Sequence, residues 1–142
     1  MTANLEINMD SKIAEKFENF AKALSKLKEI QLDRTFSDLE KTGLIQRYNF
    51  TVELAWKTLE AILEFEGNLE RIRGSKDVLR IALKRDLIDN GELWMEMLDK
   101  RNQMAHQYDE TKSTEIFSRI KKAFVEALDN FKSFVEKYYL EK

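Results

Sequence analysis

GLIQRYNFTVELAWKTLE, residues 43–60, places apolar side chains at Ile45, Tyr48, Val52, Ala55 and Leu59. Steps of three and four residues are the period of one helix face, and Ile62 continues the same stripe. Upstream, Ser37 followed by Glu40 has the Ser-x-x-Glu form of a capping box, and downstream Gly67-Asn68 supplies a stop. The spacing therefore predicts a long helix over 38–66. Phe50, Leu54, Leu63 and Phe65 add apolar surface off the main stripe. A helix apolar over so much of its circumference is wedged between several neighbours or lies in a subunit interface.

The same reading extends outward. From Asp10, read as an N-cap, Ile13, Phe17, Phe20, Leu24 and Leu27 form one stripe that runs to about Ile30. The stretch QLDRTFSD, 31–38, loses the pattern. After Gly74, Ser75 is expected to cap a short helix carrying Val78, Ile81 and Ala82, and Asn90-Gly91 marks a turn. A further helix carries Leu93, Trp94, Met97 and Leu98, and a last one, starting near Thr111 to Thr114, carries Ile116, Ile120, Phe124, Ala127, Phe131, Phe134 and Tyr138. Nowhere do β-branched and aromatic residues alternate with polar ones between turn signals, so no sheet is expected. The expected fold is all-α: an antiparallel up-and-down four-helix bundle with an extra short helix, one domain over 1–142, without repeat or linker.

Composition agrees. The chain has no cysteine, no proline and four glycines, with 43% hydrophobic and 35% charged residues. Disulfides and thiolate chemistry are excluded, and disorder is not expected. Twenty-four Lys and Arg against 26 Asp and Glu give a net charge of -2, so any contact with nucleic acid must be local. No run approaches the roughly 18 apolar residues of a membrane span. The start, MTANLEINMDSK, lacks the apolar core of a signal peptide, so a cytoplasmic location without membrane contact is expected.

Chemistry concentrates in RNQMAHQY, residues 101–108, which holds the single histidine. Two readings stand side by side. A histidine at a helix end commonly caps carbonyls or offsets the dipole, with Arg101 and Tyr108 as solvated neighbours. Alternatively, His106 can take and give a proton near neutral pH, while Arg101 offers a planar fork of donors to a phosphate. Together they can cleave RNA without a metal: histidine deprotonates a ribose 2'-hydroxyl and arginine stabilises charge building on phosphorus. Five residues at about 100° each put Arg101 and His106 about 140° apart on a straight helix. Either the helix ends between them or the site is completed elsewhere. Acid and base work by two histidines would need two protomers with their His106 residues facing across a symmetric interface.

Other candidates carry less. Glu53 and Lys57 are four apart on one helix face and read either as an intrahelical ion pair or as cleft residues. Trp56 and Trp94 read as core or interface anchors before they read as a base-stacking platform. Arg71, Arg73, Lys76, Arg80, Lys84 and Arg85 form a basic run, either a solvated face or an anion track. Gly74-Ser75-Lys76 lacks P-loop spacing, and no carboxylate or histidine cluster suggests a metal or a cofactor.

GLIQRYNFTVELAWKTLE, followed after a gap by LWMEMLDKRNQMAHQYDE, resembles the nucleotidyltransferase substrate-binding proteins of the HEPN superfamily, which include the HepT-type toxins paired with minimal nucleotidyltransferases. The likeness spans nearly the whole chain, and its most specific part is Arg-x4-His-x-Tyr. It implies a helical bundle that dimerises to bring two motif copies together at a cleft. It also implies Arg101 and His106 as the catalytic pair of a metal-independent endoribonuclease toxin, with Asn102 as the supporting polar residue. Tyr108 would be the acceptor of AMP from a cognate nucleotidyltransferase antitoxin, a modification that silences the toxin by charge and bulk. The family's other reading is a non-catalytic subunit that binds nucleotide or substrate for that nucleotidyltransferase.

Overall fold

The structure, a computed structural model, describes the backbone of residues 2–30, 34–106 and 110–140 and the side chains of 11–30, 34–105 and 114–140. These residues are all helical where they are regular. The helices are α1 (Thr2–Lys28), α2 (Asp38–Phe65), α3 (Ser75–Lys84), α4 (Gly91–His106), α5 (Glu110–Arg119) and α6 (Val125–Val135). A π-helical turn, Ile120–Phe124, joins α5 to α6, and a second, Glu136–Leu140, follows α6. No described helix is long and apolar enough to cross a membrane.

Helix α2 forms as its sequence requires. The Glu40 amide donates to Ser37 Oγ at 3.2 Å and the Ser37 amide donates to Glu40 Oε1 at 3.0 Å, so the capping box satisfies two amides that the first turn would leave unpaired. At the other end, Gly67 takes φ 74° and its amide donates to Glu64 O, while the Asn68 amide donates to Leu63 O. That pair of bonds is a Schellman stop, and the left-handed position is one that glycine occupies without a Cβ penalty.

Helices α1 and α2 run in opposite directions. Lys12, early in α1, pairs with Glu64 near the end of α2 at 2.6 Å, whereas Arg47 of α2 donates to the carbonyl of Lys26 near the end of α1 at 2.9 Å. Ile13, Phe20, Leu24 and Leu27 of α1 are buried together with Tyr48, Val52, Leu59 and Ile62 of α2. α6 closes this layer through Phe131, whose ring lies 5.5 Å from both Phe20 and Trp94. Trp94 is thus a core anchor, and Trp56 packs partly buried against the same core.

Three local expectations are corrected. Asp10 does not start α1: the helix begins at Thr2, because TANLEINM contains neither proline nor glycine to stop it. Ser75 does not cap α3. Gly74 is the cap residue, without a side-chain bond, and Asp77 Oδ2 instead accepts from the Arg73 amide at 2.9 Å. The last helix begins at Glu110. Its buried face runs Ile116, Ile120, Phe124, Leu128, Phe131 and Val135, so Ala127 and Phe134 are only partly buried and Tyr138 is exposed. The π turn at Ile120–Phe124 explains the shift, since one extra residue per turn moves every later side chain around the axis.

The Asn90-Gly91 turn works through a close approach. A Cβ on Gly91 would meet Leu83 Cδ2 at 2.4 Å, and Asn90 Oδ1 accepts from the Leu93 amide at 3.3 Å to open α4. The turn therefore sets where the motif-bearing helix begins.

Candidate functional site at the arginine of α4

Helix α4 is fixed before its motif begins. Trp94, Met97 and Leu98 are buried, and the hydroxyl of Tyr48, fully buried on α2, donates to the Met97 carbonyl at 2.6 Å. Burial, and then the negative charge of Glu96, push the Tyr48 phenol well above its ordinary pKa, so it stays a neutral donor. Arg119 of α5 donates to Glu96 from Nε and Nη2, both at 2.7 Å. These bonds hold the Glu96 carboxyl below the usual carboxylate range. Lys100 reaches Glu115 of α5 at 3.7 Å.

One turn after Met97 the stripe breaks. Trp94, Met97 and Met104 are buried at steps that include position 101, where the residue is an arginine. Its side chain is 25% exposed, and its guanidinium is held from two helices. Nη2 lies 3.4 Å from Glu53 Oε2 of α2, and Nη1 donates to Asn102 Oδ1 of α4 at 3.2 Å. The second carboxylate oxygen of Glu53 lies 3.3 Å from Lys57 Nζ. The Arg101 Nε and the Asn49 Oδ1, one turn before Glu53, are buried without a hydrogen-bond partner among the described residues.

Of the six residues singled out from sequence, the structure therefore gathers four: Arg101, Asn102, Glu53 and Lys57. The side chain of His106 lies outside the described residues, as does Tyr108 altogether. The backbone nonetheless answers one question, because α4 continues through His106. Arg101 and His106 thus occupy positions about 140° apart around the axis and about 7.5 Å apart along it. A helix that does not end between them leaves completion from elsewhere as the remaining route.

The Glu53–Lys57 pair exists as the four-residue spacing suggested, but it is only half of the arrangement. The Arg101–Glu53 contact, across 48 positions of sequence, was missed. A signal for it was present: a charged residue at a core-facing position of an apolar stripe needs a buried partner. A shallow groove beside Glu53 is lined by Lys26, Gly43, Gln46, Arg47, Asn49 and Phe50, with Phe50 58% exposed.

Three of the six cations in the basic run between α2 and α4 face carboxylates. Lys76 pairs with Asp99, Arg80 with Glu70 and Asp77, and Lys84 with Glu70, while Arg85 donates to Asn68 Oδ1. Cations already facing carboxylates at 3.4 to 3.7 Å make a weaker anion track than free ones, which favours the solvated-face reading.

Residues 15–137 match the family described as nucleotidyltransferase substrate binding protein like. A Haemophilus influenzae protein named Probable ribonuclease HepT is 30% identical, over 67% of this chain and 73% of its own length. A crystal structure of a Thermus thermophilus protein superposes with a TM-score of 0.63 at 31% identity, covering 83% of this chain and 93% of that one. All three alignments take in most of the chain.

Proposed function

The chain belongs to the nucleotidyltransferase substrate-binding protein-like family, and on that footing we propose that it is a HEPN-type, metal-independent endoribonuclease acting as the toxin of a two-component system. The observation that carries this reading is the guanidinium of Arg101, anchored on α4 and α2 at the head of an intact Arg-x4-His motif, in a chain similar to a protein named Probable ribonuclease HepT. Four long helices packed as an antiparallel up-and-down bundle, in one domain over 1–142, would form the protomer. Two protomers would bring their motifs to a shared cleft, which supplies the completion that a continuous α4 requires.

The chemistry is that of in-line transesterification. One His106 takes the proton of a ribose 2'-hydroxyl, whose oxygen attacks the adjacent phosphorus. The P–O5' bond breaks, the other His106 of the dimer, protonated, delivers a proton to the leaving oxygen, and a 2',3'-cyclic phosphate remains. Arg101 stabilises the charge that builds on the phosphoryl oxygens. Asn102 orients that guanidinium. A cognate minimal nucleotidyltransferase would serve as the antitoxin by placing AMP on Tyr108, adding phosphate charge beside the cleft. A cytoplasmic setting fits such a system.

The description of the matched family favours a second reading, a non-catalytic subunit that binds nucleotide or substrate for a nucleotidyltransferase. RNA cleavage by purified protein in EDTA separates the two. The ribonuclease reading expects cleavage that is lost in Arg101→Ala and in His106→Ala and after treatment with the nucleotidyltransferase and ATP. Well-folded dimer that binds nucleotide but cleaves no RNA would establish the second reading instead.

A further inference from the structure

We propose that Glu53 is the positioning residue for Arg101: its carboxylate, shared with Lys57, fixes the guanidinium for phosphate. This rests on the ribonuclease reading for its consequence, but the geometry stands apart from it. Among the described residues, Nη1 of Arg101 donates to Asn102 Oδ1 at 3.2 Å, and Nη2 forms an ion pair with Glu53 Oε2 at 3.4 Å. A guanidinium carries two N–H groups on each terminal nitrogen. Asn102 takes one on Nη1, the Glu53 carboxylate faces Nη2 as an ion-pair partner, and the remaining terminal N–H groups are left for the oxygens of a phosphate. The Nε cannot serve, because it is buried.

Glu53 suits this role better than a carboxylate bound to Arg101 alone. Its other oxygen faces Lys57 at 3.3 Å, so the charge is shared between two cations and does not fully neutralise the arginine. The two anchors also come from different helices. Asn102 moves with α4, whereas Glu53 and Lys57 belong to α2, whose Tyr48 already holds α4 at Met97. The fork is thereby referenced to the core and not to the end of α4, where a long side chain would otherwise sample many rotamers. Glu53 acts through Arg101 and touches no substrate in this scheme.

Two readouts test the assignment on wild type, Glu53→Gln, Glu53→Asp and Lys57→Met, each first checked for dimer state and melting temperature. The first is the side-chain nitrogen NMR spectrum of Arg101, assigned by its loss in Arg101→Lys. Wild type should show separate, slowly exchanging Nη signals; Glu53→Gln should collapse them, and Lys57→Met should leave them resolved. The second is RNA cleavage. Glu53→Gln should lower kcat at least tenfold with KM changed less than threefold, and Glu53→Asp should recover part of kcat by restoring charge.

Unchanged Nη signals in folded Glu53→Gln overturn the inference, as does cleavage at the wild-type rate. So does a variant whose activity falls only in step with its melting temperature and whose Nη signals stay resolved, since that is a packing role. If wild type cleaves no RNA while its Nη signals still collapse on Glu53→Gln, the positioning stands and the ribonuclease reading fails.

Discussion

Replacing Tyr48 with phenylalanine should destabilise the protein at neutral pH and stabilise it, relatively, at high pH. The ring stays: it stacks on Phe124 with centroids 5.7 Å apart and has no exposed surface. Only the hydroxyl is lost, and with it the 2.6 Å bond to the Met97 carbonyl. A net intramolecular hydrogen bond contributes about 1 kcal/mol. For 142 residues at about 2.1 cal/mol/K each, the unfolding entropy is about 0.3 kcal/mol/K, so the melting temperature should fall by about 3 °C at pH 7.

Alkali reverses the balance. An unfolded tyrosine ionises at about pH 10, whereas burial keeps the native Tyr48 phenol neutral well above that. Its raised native pKa contributes stability that is complete below pH 10 and lost as pH rises towards the native value. At pH 11 the unfolded chain gains about 1.4 kcal/mol from ionising this one group. Phenylalanine has nothing to ionise, so the 1 kcal/mol deficit of Tyr48→Phe should vanish between about pH 10.5 and 11. Tyr139, also raised by burial and then by its hydrogen bond to Glu66, is present in both proteins and cancels. Urea titrations followed by circular dichroism at pH 7, 9, 10, 10.5 and 11 measure the gap directly. A gap that stays constant to pH 11 refutes the picture of a neutral, desolvated Tyr48 clamping α4.

Acid should expose a different residue. The Glu40 carboxyl is lowered to about 2, first by the hydrogen bond from Arg34 and then by the Ser37 amide, so its contribution is full above the ordinary carboxylate pKa and fades as pH falls towards 2. Glu40→Gln, which keeps the capping geometry, should flatten the loss of helical signal between pH 4.5 and 2, and an acid limb as steep as that of wild type would count against the cap as its origin. Arg101→Met should leave stability within about 1 kcal/mol of wild type while abolishing RNA cleavage, because a flexible apolar side chain completes the stripe and removes the buried Nε. A loss above about 3 kcal/mol in urea titration would show that Arg101 is retained for stability instead.

How far the sequence carried depended on the range of the interaction. α2 was legible from end to end because its signals are local: Ser37 and Glu40 lie within one turn, and Gly67 sits immediately beyond the last helical residue and its cap. The start of α3 was misplaced by one residue because serine and glycine can both precede a helix, and the choice fell to Asp77, whose carboxylate took the Arg73 amide. The face of the last helix was followed correctly to Phe124 and beyond it only at Phe131. A π turn leaves no mark in residue type, and Ile120–Phe124 shifts the register only because packing selects it. The hydroxyl of Tyr48 was likewise hidden, since a tyrosine on an apolar stripe looks like packing until its partner 49 residues away is known.

The site follows the same logic in reverse, because it is where local pattern and fold disagree. α4 is an amphipathic helix whose apolar steps call for another large hydrophobe at position 101. An arginine there leaves a buried Nε without a hydrogen-bond partner among the described residues and obliges α2 to present Glu53. A buried unpaired donor costs about 1 to 3 kcal/mol, and an ion pair whose side chains are 25% and 31% exposed returns little against it. Packing alone would have favoured methionine or leucine, which fill the same volume without either demand. What the arginine supplies instead is a planar cation whose remaining terminal N–H groups match a phosphate, held by partners on two helices that are already fixed to each other through Tyr48 and Met97. The strain in the stripe and the fitness of the fork for phosphate are consequences of one substitution of chemistry for packing, which is why Glu53, off the apolar stripe of α2, is needed to make position 101 tolerable and useful together.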